Sequence, residues 1–206
     1  MNKNLHEVVA IVLITAMFLG VLPTIRAQSP STPDVALTVV VPYKTVVGQG
    51  SVLNVSVTEE NLGDSAEVFN VIVDLKSGTL DYFIPGQPNT VSGHNSTNAT
   101  IVCDTTAMAY GNYTLSASVV PVYGETNTTN NYCKDGWVVI SLVGDITGPT
   151  GWPDGTVNMR DIALVARCIG STPGSRNWNP NADINSDGIV NMKDIALVAR
   201  HFGQRV

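Results

Sequence analysis

Val157-Asn158-Met159-Arg160-Asp161-Ile162-Ala163-Leu164-Val165-Ala166-Arg167 returns as Val190-Asn191-Met192-Lys193-Asp194-Ile195-Ala196-Leu197-Val198-Ala199-Arg200, with a single change, Arg160 to Lys193. Within each copy apolar residues recur at helical spacing: Ile162, Val165, Ala166 and Ile169 in the first, Ile195, Val198, Ala199 and Phe202 in the second. Gly170 and Gly203 follow as C-terminal stops. The duplication predicts two short helices, each led by a polar loop. Residues 172–180, rich in Pro, Gly, Ser and Asn, connect the halves.

The loop before the second helix has the spacing of a cation site. Calcium takes six to eight oxygens, and a loop of about twelve residues can supply them. Asp183, Asn185 and Asp187 stand at the first, third and fifth positions. Gly188 is sixth, where the chain must turn sharply. Ile189 offers a carbonyl at the seventh position, Asn191 is ninth, and Asp194 at the twelfth would grip the ion with both oxygens. Like charges this close repel one another without a cation, so the ion would contribute folding energy. The plain alternative is an Asn/Asp/Gly turn with a helix cap.

The first loop is longer. Counting back from Asp161, Asn158 is ninth, Thr156 seventh, Gly155 sixth and Asp154 fifth. Asp145 would be the first ligand, with five extra residues lying within residues 146–153. Thr147 is the best candidate for the third position, with a backbone carbonyl as the alternative. Trp152, in the insertion, either shields the ion or presents an aromatic face to a partner. Two calcium sites are expected in all.

Upstream of Gly144 the periodicity changes from helical to alternating. Val35, Leu37, Val39 and Val41 are expected on one face. Val55 and Val57 alternate with Asn54, Ser56 and Thr58. Phe69, Val71, Val73 and Leu75 form a third set, Tyr113, Leu115, Ala117 and Val119 a fourth, and Trp137, Val139 and Val143 a last strand. Period-two runs with turn residues between them predict an antiparallel β-sandwich.

Val47-Gly48-Gln49-Gly50, Glu60-Asn61-Leu62-Gly63, Gly111-Asn112-Tyr113-Thr114 and Gly124-Glu125-Thr126-Asn127, closing on Asn130-Asn131, resemble the CARDB domain, a cell-adhesion-related, immunoglobulin-like sandwich of archaeal and bacterial surface proteins. The resemblance spans residues 34–143. Asn61, Asn130 and Asn131 read as residues of tight turns. The duplicated loop-helix of residues 144–204, with Asp rather than Glu at the twelfth position, resembles a type I-like dockerin, the small calcium module that plugs into a cohesin domain. That resemblance implies a partner face at Met159, Arg160, Ala166 and Arg167, and again at Met192, Lys193, Ala199 and Arg200. Cellulosomal dockerins often carry small hydroxyl residues where this chain has Met and a base. For Met159 and Met192 the plain alternative is apolar filling at the helix start.

The ends and the composition complete the expectation. Residues 1–27 combine Lys3, an apolar run over residues 8–22 and a small residue, Ala27, as a secretory signal would; the alternative is an uncleaved anchor, the one route to a membrane. Residues 28–33 form a Ser/Pro/Thr tether, residues 34–143 the sandwich, and residues 144–206 the calcium-binding module. Asn54, Asn95, Asn98, Asn112 and Asn127 each open an Asn-X-Ser/Thr sequon, as a glycosylated secreted protein would carry them. The formal charge of -6 argues against nucleic acid, which needs a basic face. Cys103, Cys133 and Cys168 are odd in number. A Cys103–Cys133 bridge would have to join opposite ends of strands about 33 Å long, whereas a disulfide needs Cα atoms within about 7 Å, so free thiols are expected.

No catalytic constellation stands out: His94 and His201 lie far apart in sequence, and Asp64, Glu67 and Asp81 are scattered. The expectation is a secreted, non-enzymatic surface protein. Its dockerin would tether an adhesion or spacer sandwich to a cohesin-bearing partner. The alternative is a carbohydrate-binding accessory of a polysaccharide-degrading complex, with a cell-surface glycan as ligand.

Overall fold

The computed structural model describes residues 32–206. The signal reading of residues 1–27 and the tether residues 28–31 lie outside the described residues.

Among the described residues ten strands precede two helices. β1 (Val35–Pro42), β3 (Val52–Asn61) and β8 (Asn95–Asp104) form one antiparallel sheet in the order β1-β3-β8. The facing sheet runs β2-β10-β9-β5-β6, from β2 (Val46–Gly48), β10 (Tyr132–Ser141), β9 (Gly111–Val119), β5 (Val71–Ser77) and β6 (Leu80–Pro85). Within it β2 pairs parallel with β10. A small ladder joins β4 (Glu67–Phe69) to β7 (Asn89–Val91). This is the antiparallel sandwich that the alternation predicts. Leu53, Val55, Val57 and Ile101 from one sheet meet Val73, Leu75, Tyr113, Leu115, Val138 and Ile140 from the other in one buried cluster. Burial of these side chains is the main driving term for the sandwich.

Two strands depart from the simple alternation. In β1 the register against β3 shifts between Leu37 and Val39. Val35, Ala36 and Leu37 are buried, then Val40 points inward while Val39 and Val41 are exposed. An extra residue in one strand reverses the faces beyond it. A second shift, between Asp135 and Trp137 of β10, sends Val138 and Ile140 into the sandwich core. Val139 faces the other way, into a second apolar cluster. The set Trp137, Val139, Val143 is therefore not the face that fills the sandwich.

That second cluster unites the tail with the sandwich. Val46, Val139 and Leu142 pack with Ile146, Val157, Val165, Cys168, Ala182, Val190 and Val198. The helices are α1 (Met159–Cys168) and α2 (Met192–Arg200). Gly144 sits at the junction with φ +92, and a Cβ there would lie 3.1 Å from the Val198 Cα. Only glycine suits both the conformation and the close approach. The helices end earlier than their apolar spacing suggests. Ile169 and Phe202 lie beyond them and are exposed, and the buried faces are Asp161, Val165, Cys168 and Asp194, Val198.

The thiols of Cys103, Cys133 and Cys168 are free. Cys103 belongs to β8 and Cys133 to β10, so they stand in different sheets. The residues of the Gly-Glu to Asn-Asn stretch close the end of the sandwich. Glu125 accepts the amides of Val35 (2.9 Å) and Val122 (3.0 Å) and the Asn131 side chain (3.1 Å). Asn130 donates to Asp34. Asn61 accepts the Gly63 amide at 3.0 Å, the side-chain-capped turn expected of it.

Glu59 is fully buried on β3, held by the Asn89 amide at 3.0 and 3.2 Å. Burial pushes its carboxyl above the ordinary value of 4.5. The folded state therefore holds this proton more tightly than the unfolded chain, and ionisation above that range opposes folding. Glu59→Gln is expected to raise the melting temperature near pH 7 and to lose that advantage near pH 4, where both states are protonated. Melting curves at the two pH values check this.

Candidate metal centre and partner face

The two loops share one hydrogen-bond scheme. In the second, Asp194 Oδ1 accepts the amides of Ile184 (2.9 Å) and Asn185 (3.3 Å), and Oδ2 accepts that of Asn191 (2.8 Å). In the first, Asp161 Oδ1 accepts the amides of Ile146 (2.9 Å) and Thr147 (3.0 Å), and Oδ2 that of Asn158 (2.8 Å). Asp183 accepts from Asp187 and Gly188, and Asp145 accepts from Asp154 and Gly155. Thr147 thus stands in the place of Asn185, and Asp154 in the place of Asp187, despite the insertion between them. Gly155 and Gly188 turn the chain at φ +80 and +83.

Each loop runs into its helix through a capping box. Asn158 and Asn191 accept the amides of Arg160 and Lys193, while Asp161 and Asp194 reach back to the cap amide. The side-chain amides of Asn158 and Asn191 also donate to the carbonyls of Thr156 (3.0 Å) and Ile189 (3.2 Å). The repeats then close on each other. Gly170 N–H donates to Val190 O (2.8 Å) and Val190 N–H to Ser171 O (3.0 Å). Reciprocally, Gly203 N–H donates to Val157 O (2.8 Å) and Val157 N–H to Gln204 O (3.0 Å).

The donor chemistry suits a hard cation. Asp145, Asp161, Asp183 and Asp194 are fully buried, and among the described residues none of these carboxylates is in an ion pair. Buried carboxylates without a counter-charge are costly. Burial, reinforced by Asp161, pushes the Asp145 carboxyl above its usual range, against the hydrogen bonds from Ser141, Gly155 and Asp154. The remaining oxygens are those of Thr147, Thr156 and Asn158 in the first loop, and of Asn185, Ile189 and Asn191 in the second. Bound calcium would supply positive charge to these oxygens, of which the first loop has no buried source and the second has only part. Among the described residues, no group of three or more Asp, Glu, His or Cys side chains is gathered tightly enough to hold an ion alone. The third carboxylate of each loop turns toward the base at its helix start. Asp154 lies 4.0 Å from Arg160, and Asp187 3.4 Å from Lys193. Lys193 and the Asn185 amide hold the Asp187 carboxyl below the usual range, the amide bond being the larger effect.

The sandwich touches both loops, which sequence spacing gave no means of finding. The Ser141 hydroxyl, at the end of β10, donates to Asp145 Oδ2 at 2.7 Å. Lys44, 4% exposed, donates from Nζ to the Asp183 carbonyl at 2.8 Å. Burial lowers the Lys44 pKa, with Asp183 and then Asp194 opposing that fall. Asn181 Oδ1 accepts the amides of Thr45 and Val46, each at 3.0 Å. Trp152 packs on Trp137 of β10, with ring centroids 4.2 Å apart. The insertion in the first loop therefore reaches the sandwich, a third role beside shielding an ion or facing a partner.

Met159, Arg160, Ala166, Arg167 and Met192, Lys193, Ala199, Arg200 are all exposed, Met159 at 62% and Met192 at 67%. The two methionines are therefore not core filler. The sequon residues Asn54, Asn95, Asn98, Asn112 and Asn127 are exposed as well. His94 lies 3.0 Å from Asp64 on the surface, and His201 bonds Gln204. Burial first, and then the neighbouring Asp81 of β6, raise the Asp74 carboxyl on β5 to about 6.

Likenesses to solved structures cover parts of the chain. The CARDB domain of a Pyrococcus furiosus protein, in complex with di-metal ions, is 23% identical over 56% of this chain and 99% of that one, with a TM-score of 0.40. A type II cohesin–X–dockerin complex from Acetivibrio cellulolyticus is 18% identical over 66% of this chain and 83% of that chain, at 0.29. A β-glucosidase from Erythrobacter marinus is 11% identical over 52% of this chain and 15% of its own, at 0.42. No curated protein matches the chain. The family model of the Dockerin type I domain matches residues 153–203, the segment that holds both helices and the whole second loop.

Proposed function

We propose that this chain is a secreted, non-catalytic surface protein. Its C-terminal loop-helix pair binds a cohesin-bearing partner when the loops hold calcium, and so tethers the sandwich as an adhesion or spacer unit. The observation that carries this reading is the Dockerin type I match over residues 153–203, which takes in the second loop and the end of the first, the two sharing one hydrogen-bond scheme. The exposed residues at the start and along the outer side of each helix supply two similar faces for that partner. Among the described residues no helix is long and apolar enough to cross a membrane.

The test is capture of immobilised cohesin domains by the full chain, with calcium and with a chelator. Capture in calcium that disappears in chelator is expected. Asp145→Ala combined with Asp183→Ala is expected to lower the affinity at least about 100-fold, because each site loses a buried ligand that also holds two loop amides. Undiminished capture by the double variant would refute calcium dependence.

A second reading, that the protein holds a saccharide, draws on one feature. Trp137, Trp152, Pro42, Thr45 and Asp135 line an open cavity of about 410 Å³ beside the junction. Exposed indole faces next to a carboxylate suit a sugar ring. Passing the same protein over a polysaccharide panel separates the readings, and a lack of retention removes the second.

A further inference from the structure

The two loops are near copies, yet their charges differ in one respect. The first has Asp145, Asp154 and Asp161, with Arg160 4.0 Å from Asp154. The second has Asp183, Asp187 and Asp194, with Lys193 3.4 Å from Asp187. Up to this point the inventories match. The sandwich then adds a neutral group to the first loop, the Ser141 hydroxyl on Asp145, and a cationic one to the second. Lys44 is buried and donates to the main-chain oxygen of Asp183, the second loop's first ligand, at 2.8 Å, which sets its ammonium beside that loop.

We infer that Lys44 makes the two calcium sites unequal, its charge weakening divalent binding at the second loop relative to the first. This rests on the reading of the loops as calcium sites. The physical reason is direct: loop affinity follows ligand charge, and a fixed positive group beside the ligands offsets part of the attraction for a divalent ion. The same group already satisfies part of the second loop's charge, so that loop depends less on the ion for its shape. Lys44 is a positioning residue and not a ligand, because it has no lone pair to offer while protonated.

The experiment is calcium titration of the full chain by calorimetry, with each loop disabled in turn by Asp154→Asn or Asp187→Asn. Two distinguishable steps are expected in the unaltered chain. The weaker step should survive in Asp154→Asn and the tighter one in Asp187→Asn. Adding Lys44→Met to Asp154→Asn should tighten the remaining step about tenfold. Adding it to Asp187→Asn should change nothing. Lys44→Arg, which keeps the charge, should leave both steps in place. Lys44→Gln repeats the neutral substitution should the methionine variant fold poorly, with circular dichroism as the check. If Lys44→Met leaves the second-loop step unchanged or weakens it, or if the second loop proves the tighter site, the inference fails while the calcium reading stands. If the unaltered chain takes up no calcium, both fail together.

Discussion

Asp194→Ala is expected to empty the second loop of calcium and to melt α2. Asp194 is fully buried and accepts three backbone amides, those of Ile184, Asn185 and Asn191. It is also the N3 member of the capping box that starts the helix. Removing it leaves those donors without their acceptor, at about 1–3 kcal/mol for each group that stays buried. It removes the twelfth-position ligand as well. The combined loss exceeds what a helix of nine residues could withstand by local propensity alone. Calcium stoichiometry should fall from two to one, and the far-UV signal of the helix should drop. Asp194→Asn keeps one oxygen acceptor and loses the charge, so it should preserve more helix than calcium affinity. Calorimetry and circular dichroism on the full chain check both. An alanine variant that still bound two ions would contradict the proposed role.

The second large effect lies in the core of the sandwich. Leu115 is fully buried at the centre of the five-stranded sheet, opposite Leu75 on β5 and Asp135 on β10. Leu115→Ala should cost about 3 kcal/mol, through lost transfer energy and the cavity left behind. For a unit of this size that is near 10 °C in melting temperature, at about 2–4 °C per kcal/mol. The more informative readout is the tail. Val46 and Val139 of the sandwich strands, with Leu142 just after β10, share a buried cluster with Val157, Val165 and Val198. Lys44, Asn181 and Ser141 add polar ties across the same junction. The helical signal of α1 and α2 should therefore fall together with the sandwich in the variant, at the lowered temperature. Two separate transitions, with the helices melting where they do in the unaltered chain, would show that the junction carries little energy.

How much of this was legible beforehand can be judged from particular residues. The proposal that the loops hold a cation starts from spacing alone. Oxygen donors at fixed positions, glycine at the sixth and an acidic residue ending the loop are local features, and each leaves a mark within a dozen residues. The two helices and the antiparallel sandwich are also local in origin, since period and turn residues announce them. The Thr147 amide bonds Asp161 as that of Asn185 bonds Asp194, a correspondence that spacing across the insertion only suggested.

What the sequence by itself determined is thus the repeat, the spacing of its Asp, Asn and Gly residues, and the change from alternating to helical period at Gly144. Tertiary structure alone decided which faces those elements turn inward. The register shifts in β1 and β10 moved Val39 and Val41 to the surface and gave Val139 to the tail's cluster. It alone brought Lys44 to Asp183, Ser141 to Asp145 and Trp152 to Trp137. The physical reason is range. A loop or helix is specified by neighbours a few residues away, whereas a bulge or a contact such as Lys44 with Asp183 depends on how whole strands and helices pack, and no short window of sequence encodes that.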